Sequence, residues 1–438
     1  MSRYALTVLA AAFLLPLPAR ASWVNQMGNG DSNSNYIGVG AASAQLAATC
    51  GFVNSGSTPT VLWARTTNGD MWNEGGGFTG YGAALEFASE EVGFIGGLLG
   101  KVWRTTDGGM SWVEIPDAMV GGGTLMDSEY VADIAVSPDG QTVWIIGGTG
   151  KCSYSADQGA TWSKVEVSIP ADTGVAAGAV VGDSVWIVGG VPMEEPTEGS
   201  DFEDPTPGNP ASDGFVIYSE DGGGSFDTLT SGLEYELTEV SFVNPAEGWA
   251  SAATFQEGGA AIGITIDGGE TWDFVEIDDF PESEVVGINM GASVVPAGCI
   301  HVRFYGREVG TAVCTTSTYE FDGSTGLFLT TDGGETWEIQ AGYKDAFANQ
   351  LVAASAVNDV SMADCHRGWL VGAGKIIQRW DNDDADLDCE QGGAPTEETP
   401  DDVGDQDGDE AGGGDGGCGC SAAGSGAPSL FSLLFSIL

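Results

Sequence analysis

One eight-residue pattern recurs five times in the 438-residue chain and limits its fold more than any other feature. The shared frame is Ser/Thr-x-Asp-x-Gly-x-Ser/Thr-Trp/Phe. Its Asp and aromatic positions are Asp107 and Trp112, Asp157 and Trp162, Asp221 and Phe226, Asp267 and Trp272, and Asp332 and Trp337. A shortened sixth copy runs from Thr66 to Trp72. Repeats spaced by about 50 residues indicate a solenoid or a propeller.

Each copy has the composition of a tight turn between two strands. The Asp carboxylate can accept hydrogen bonds from backbone N–H groups a few residues later, and the Gly permits a positive φ. The aromatic residue then enters the next strand and packs into the sheet. Short apolar runs that end in Gly, such as 142–148 and 184–190, precede the copies. The pattern therefore predicts a repeating unit of three strands, the turn and a fourth strand, which is one antiparallel blade.

The repeated frame resembles the Asp-box, or BNR repeat, of sialidase-like and sortilin-like β-propellers. The phrase x-Gly-Trp-x-Val-Gly followed by Thr-x-Asp-Gly-Gly-x-Thr-Trp is also similar to propellers of the photosystem II stability/assembly-factor type. This resemblance covers about residues 36–380. It implies an all-β propeller of four-stranded antiparallel blades in which the boxes are structural and lie away from the central site. The shortened first copy and a last unit without a box bring the predicted count to seven blades, with six as the alternative.

Ring closure and two insertions complete the predicted architecture. The last unit, 357–380, lacks an outer strand, and we predict that Tyr36–Gly40 supplies it and so removes a free sheet edge. The segment Val191–Gly214 is rich in Pro and acidic residues and is interpreted as a loop insertion. The segment Val294–Gly326 is interpreted as an extra hairpin. Both are expected to carry binding contacts, because loops on a rigid scaffold usually do.

The N-terminus has the features of a secretory signal. Arg3 provides a positive charge, 5–17 is an apolar run, and Ala19-Arg20-Ala21 is a typical cleavage site. We therefore predict a signal peptide over 1–21 and the propeller over 22–380.

The C-terminal part divides into a spacer and a tail. The spacer, 381–417, holds fifteen Asp or Glu residues and no Lys or Arg. It is predicted to be disordered, and its acidic residues are compatible with weak Ca²⁺ binding. The tail, 418–438, begins with Cys418 and Cys420 and ends in an apolar run. It resembles a myxobacterial-type sorting signal. This resemblance implies processing near these cysteines and anchoring of the protein at the cell surface or outer membrane. The alternative is that the exported protein is extracellular.

Export permits disulfide bonds, and six cysteines lie in or beside the predicted propeller. We predict the pairs Cys299–Cys314 and Cys365–Cys389, because each closes a short local loop, and Cys50–Cys152 as a third pair. There is no Cys-x-x-Cys motif, and the chain has only two His residues, so no metal or other cofactor is predicted.

Charge limits the class of partner. The chain has 64 acidic and 13 basic residues, a formal net charge of −51. This excludes nucleic acid and anionic lipid as partners, and it leaves the tail as the only membrane contact. We predict a monomer that binds an envelope protein, a peptide or a glycan.

No catalytic residue is predicted, although one enzymatic alternative stays open. No Arg lies in the Arg-Ile-Pro motif of sialidases. Asp-box propellers also include glycoside hydrolases that cleave polysaccharides with paired carboxylates. Asp133, Glu239 and Asp359 occupy similar places in their units. They are candidates for lining the central axis, but turn capping is the preferred interpretation.

Overall fold

The computed structural model describes residues 22–27, 34–53, 60–121, 129–190, 214–254, 261–277, 297–316, 324–339, 357–372 and 374–382. Across these ranges the chain forms 28 strands and a single 3₁₀ turn, Pro116–Ala118. The strands make seven four-stranded antiparallel blades, which confirms the predicted all-β propeller and the count of seven.

The strands are numbered in chain order, and blades 1 to 6 each run from the innermost to the outermost strand. Strand β1 is Ser22–Met27. Blade 1 contains β2 Ser34–Ala41, β3 Ala47–Val53, β4 Thr60–Thr66 and β5 Trp72–Thr79. Blade 2 contains β6 Gly82–Phe87, β7 Gly93–Gly97, β8 Val102–Thr105 and β9 Val113–Glu114. Blade 3 contains β10 Val131–Val136, β11 Val143–Gly147, β12 Lys151–Ser155 and β13 Ser163–Glu166.

The second half of the ring continues the same order. Blade 4 contains β14 Gly174–Val181, β15 Ser184–Gly190, β16 Gly214–Ser219 and β17 Asp227–Leu233. Blade 5 contains β18 Glu236–Phe242, β19 Gly248–Thr254, β20 Ala261–Thr265 and β21 Asp273–Glu276. Blade 6 contains β22 Ala297–Phe304, β23 Gly310–Thr316, β24 Ser324–Thr330 and β25 Glu338–Ile339. Blade 7 contains β26 Val357–Met362, β27 Arg367–Gly372, β28 Ile376–Asp381 and, as its outermost strand, β1.

The ring closes through β1, so the prediction that Tyr36–Gly40 forms the outer strand of blade 7 is wrong. Ser22 pairs with Asp381, and the ladder continues antiparallel along β28. Tyr36–Gly40 lies instead in the innermost strand of blade 1. Its glycines explain this position, because a Cβ added at Gly38 would lie 2.6 Å from the Ala83 carbonyl oxygen of blade 2. A strand whose backbone lies so close to that of the neighbouring blade cannot be the outermost strand of a blade.

The extra hairpin predicted over Val294–Gly326 is also wrong in its described part. Strands β22 and β23 and the start of β24 are the first three regular strands of blade 6. The long interval between boxes instead contains the connection 278–296, which lies outside the described residues. The predicted loop insertion, Val191–Gly214, is likewise outside them except for its last residue.

The hydrophobic core lies between the blades, where aromatic side chains of the second strands are buried. Trp144, Trp186 and Trp369 have essentially no exposed surface. Some of these rings also bind the box turn of the following blade. Trp186 Nε1 donates to the Gly268 carbonyl oxygen at 2.8 Å, and Trp249 Nε1 donates to that of Gly333 at 2.8 Å. The boxes therefore hold neighbouring blades together as well as closing their own hairpins.

The two faces of the ring differ in their connections. The innermost strands run in the same direction in all blades, so equivalent connections lie on the same face. The box turns and the short turns between first and second strands lie on one face, here called the box face. The long connections 191–213, 278–296 and 340–356 join strand ends on the opposite face, here called the loop face. Strand β1 begins and β28 ends at the box face.

Candidate functional site

Every innermost strand carries a register irregularity at the same level, near its loop-face end. The residues directly after it are Gly38, Ala84, Asp133, Ala177, Glu239, His301 and Asp359. A bulge bends a strand and re-aims the side chain that follows it. The three candidate carboxylates therefore occupy equivalent positions in blades 3, 5 and 7.

Each of these carboxylates binds the innermost strand of the next blade. The bonds run from Gly178 N to Asp133 Oδ2 (2.9 Å), from Val302 N to Glu239 Oε2 (3.1 Å) and from Val39 N to Asp359 Oδ2 (2.8 Å). All three side chains are buried, with at most 3% of their surface exposed. The turn-capping interpretation is therefore wrong, because these acids connect blades within the sheet region.

The seam between blades 7 and 1 has two further side-chain bonds beside Asp359. Asn358 Nδ2 donates to the Tyr36 carbonyl oxygen at 2.6 Å, and Ser361 Oγ accepts from Ala41 N at 3.0 Å. Blades 5 and 6 repeat this arrangement. There Thr238 Oγ1 donates to the Cys299 carbonyl oxygen (2.6 Å), and Ser241 Oγ accepts from Phe304 N (3.2 Å). A bulge residue, an acid and a serine thus form a three-point clamp at two seams.

Burial controls the protonation of two of these acids. Loss of solvation raises the pKa of Asp133 to about 7, although its backbone hydrogen bonds to Gly178 and Ile134 partly oppose the rise. The same cause raises the pKa of Asp359 well above its ordinary value. These groups are engaged by backbone donors and are shielded from solvent, which suits them to holding blades together.

Glu86 and Arg303 are two axial residues that the sequence analysis did not single out. Glu86 is fully buried, and neither of its carboxylate oxygens accepts a hydrogen bond from a described residue. Burial raises its pKa well above the ordinary value, Arg303 opposes the rise, and Asp133 and Glu239 add to it. The Phe87 amide also opposes the rise. Groups from blades 2, 3, 5 and 6 can influence one another in this way only across the axis.

A second acidic group lies at the loop-face end of the axis. Glu129 accepts hydrogen bonds from the amides of Tyr130 and Thr149, each at 3.2 Å, and also from the Thr149 hydroxyl. Glu236 lies at the start of β18 and is 5% exposed. Burial raises the pKa of Glu236 to about 8. The equivalent position, three residues before the residue that follows the bulge, is Tyr130 in blade 3 and Gly174 in blade 4, so no repeated pattern marks Glu236 in the sequence.

The five complete boxes share one geometry. In each, the first-position hydroxyl donates to the Asp at 2.8 Å. The seventh-position amide donates to the same oxygen at 2.8 to 3.0 Å. Bonds from the Thr161 hydroxyl and amide and from the Ser155 hydroxyl lower the pKa of Asp157 to about 2. These turns join the third and fourth strands, on the side of the blade away from the axis.

The cysteines divide into paired and free groups. The predicted Cys299–Cys314 disulfide is confirmed, with an S–S distance of 2.05 Å between neighbouring strands. Cys365 is disulfide-bonded, and its predicted partner Cys389 lies outside the described residues. Cys50 and Cys152 are free and buried, so the predicted third pair is wrong. They belong to blades 1 and 3, which do not adjoin.

Several remaining predictions fall on the termini. The signal peptide, the acidic spacer beyond residue 382, and Cys418 and Cys420 all lie outside the described residues. Within the described ranges, no group of three or more His, Cys, Asp or Glu side chains is arranged to hold a metal ion. Nor does that part of the chain contain a helix long and apolar enough to cross a membrane.

Comparison with known proteins identifies relatives of the fold. No family model matches the chain, and no match was found among curated proteins. The structure of YCF48 bound to D1 peptide has a TM-score of 0.53 at 17% identity, covering 84% of this chain and 99% of that one. YCF48 from Cyanidioschyzon merolae gives 0.51 at 14% identity, covering 82% and 99%. These similarities show the propeller fold alone.

A glycoside hydrolase is more distant. The GH74 enzyme of Niastella koreensis has a TM-score of 0.41 at 12% identity, covering 81% of this chain and 64% of that one. This similarity is too low to bear on the activity of the present chain.

Proposed function

We propose that this protein is an exported, surface-displayed scaffold that binds a protein, peptide or glycan partner without catalysis. The observation that carries the proposal is that the axial acids serve as hydrogen-bond acceptors between neighbouring blades. Asp133, Glu239 and Asp359 each accept a backbone amide of the next blade and are almost fully buried. A hydrolytic pair needs two carboxyl groups that face a substrate across an open cleft, typically about 5–9 Å apart.

The topology supports binding at the loop face. Ser22 pairs with Asp381, so the chain enters and leaves the ring side by side at the box face. A tail that anchors the protein would hold it from that side. The loop face, which receives the long connections, would then be directed away from the anchoring surface and towards partners.

Protein or peptide is the first partner class to test, and glycan is the second. A structural neighbour of this chain is YCF48 bound to D1 peptide. That neighbour shares the fold at 17% identity, so the peptide itself is not carried over. The formal net charge of −51 favours a partner with a basic surface.

The proposal is tested by comparing binding with hydrolysis for the full chain. We expect affinity capture from native envelope extracts to recover a partner, and we expect no release of reducing sugar from plant or bacterial polysaccharides. Sugar release that one carboxylate substitution abolishes would contradict the binding function. Fractionation of producing cells tests the location separately, with the protein expected in the surface fraction.

A further inference from the structure

Glu236 is buried, with only 5% of its surface exposed, and it has no binding partner within the described ranges. No described residue donates a hydrogen bond to its carboxyl group. Buried ionisable side chains are normally paired, because an unpaired buried group loses its hydrogen bonds to water and gains none in return. An unpaired acid at the end of the axis therefore needs an explanation.

The surroundings of Glu236 are built by side chains that lie over glycines. A Cβ added at Gly190, at the end of β15, would lie 2.8 Å from Glu236 Cγ. A Cβ added at Gly148 would lie 2.2 Å from Tyr130 Cζ. These glycines leave the space that the two side chains occupy at the loop-face end of blades 3 to 5.

Tyr130 connects Glu236 with Glu129. Burial raises the pKa of Tyr130, and the negative charges of Glu129 and Glu236 add to that effect. Both carboxyl groups therefore lie within electrostatic range of one phenol. Glu129 is already balanced, because Thr149 donates to it and Lys151 Nζ lies 3.8 Å from its Oε2. Glu236 is the acid in this group that has no counter-charge.

We propose that Glu236 anchors a site for an organic cation, namely an ammonium or guanidinium group presented by a protein partner. This inference rests on the binding function proposed above and names the chemistry that the loop face recognises. A carboxylate accepts two N–H donors from such a group, and an aromatic ring beside it favours the same charge. The acidity of the whole chain attracts cationic partners to this face.

Occupation of the site is coupled to proton release. The empty site keeps Glu236 largely protonated at neutral pH, because burial raises its pKa to about 8. An incoming ammonium group stabilises the carboxylate, and the displaced proton passes to solvent. Among the titratable groups, Tyr130 of blade 3 lies within electrostatic range of Glu236, Lys151 pairs with Glu129 on the same blade, and Tyr235 precedes Glu236 on its own blade. Affinity should therefore rise about tenfold per pH unit between pH 6 and pH 7.

The test uses the full chain and small probes of defined charge. Nα-acetyl-lysine amide and Nα-acetyl-arginine amide are titrated by calorimetry, and Nα-acetyl-norleucine amide is the uncharged control. Paired buffers of different ionisation enthalpy count the protons. We expect one site for each cationic probe, about one proton released at pH 7, and no norleucine binding. Glu236→Gln should weaken the binding at least tenfold.

A matched variant separates the site from general acidity. Glu234→Gln removes the same charge from an exposed position two residues earlier and should leave the binding unchanged. Because glutamine resembles the protonated acid, Glu236→Gln should keep the wild-type melting temperature. The inference is overturned by no binding at millimolar probe, by equal norleucine binding, by no proton release, or by full binding to Glu236→Gln.

The same variant distinguishes this inference from the broader proposal. If Glu236→Gln still captures the envelope partner of the wild type with equal affinity, the scaffold function stands and the cation site fails. If the cationic probes bind but no envelope partner is recovered, the cation site stands and the scaffold function fails.

Discussion

The Asp359→Ala substitution tests how far one axial acid holds the ring closed. The variant leaves two backbone amides without an acceptor, those of Val39 at 2.8 Å and Val360 at 2.8 Å. An unsatisfied buried donor costs about 1–3 kcal/mol. Part of this loss is recovered, because burial of the acid is itself unfavourable, as its raised pKa shows. We expect the free energy of unfolding to fall by about 2–4 kcal/mol.

The Asp359→Asn variant refines this estimate. An amide has one acceptor oxygen and presents donors on its other side, so it can satisfy only one of the two N–H groups. Its loss should be about half that of the alanine variant, about 1–2 kcal/mol. Urea unfolding followed by tryptophan fluorescence measures both variants. Glu335→Ala, at an exposed box position, is the control and should change stability by less than about 0.5 kcal/mol.

The outcome separates a clamp from a passive buried acid. Equal urea midpoints for Asp359→Ala and Glu335→Ala would refute the reasoning, because the bonds to Val39 and Val360 would then contribute nothing. A more stable alanine variant would show that the burial penalty exceeds the value of the clamp.

Three further predictions concern closure, the boxes and pH. Deletion of 22–27 should expose the edge of β28 and cause association, measured by light scattering; a monodisperse monomer would argue against closure by β1. Gly223→Ala should destabilise by at least about 1 kcal/mol in urea, because its φ is 90° and its Cβ would lie 2.3 Å from a Trp144 ring atom. Gly76→Ala meets open space and should change stability little, so equal losses would contradict the box packing. Burial raises the pKa of Asp133 to about 7, so its contribution to the free energy of unfolding should be complete below the unfolded pKa of about 4 and should be lost as pH rises through 7. Asp133→Asn should flatten this dependence of the free energy of unfolding on pH. An unchanged pH dependence in the variant would exclude Asp133 as its source.

The repeat made the blades predictable because it is local. Each box places an Asp, a Gly and an aromatic residue within eight positions, and its hydrogen bonds form within one hairpin. The strand pattern before the boxes is also local. Seven blades therefore followed from counting units, including the shortened copy at Thr66–Trp72.

Closure was not predictable from local pattern because it joins the two ends of the ring. Strand β1 is short, and its partner β28 lies more than 350 residues later. The glycines of β2 gave a usable signal, since Gly38 and Gly40 permit the close contact with blade 2 that an innermost strand requires. A central strand was therefore the better interpretation of Tyr36–Gly40.

The axial acids were found by sequence, but their role was not. Asp133, Glu239 and Asp359 share a position in their units, which marked them as a set. Their acceptor role depends on the register between neighbouring blades, which no single unit contains. Glu86 and Glu236 escaped notice because each occurs once, at a position where other blades have different residues.

Hydrogen exchange at the Val39 amide tests most directly whether the axial acids hold the blades together. In the wild type this amide, bound to Asp359 across the seam, should exchange as slowly as the ladder amides of β4. In Asp359→Ala it should exchange much faster while β4 is unchanged. An equally protected Val39 amide in the variant would contradict the clamp and return the axial acids to the candidates for catalysis.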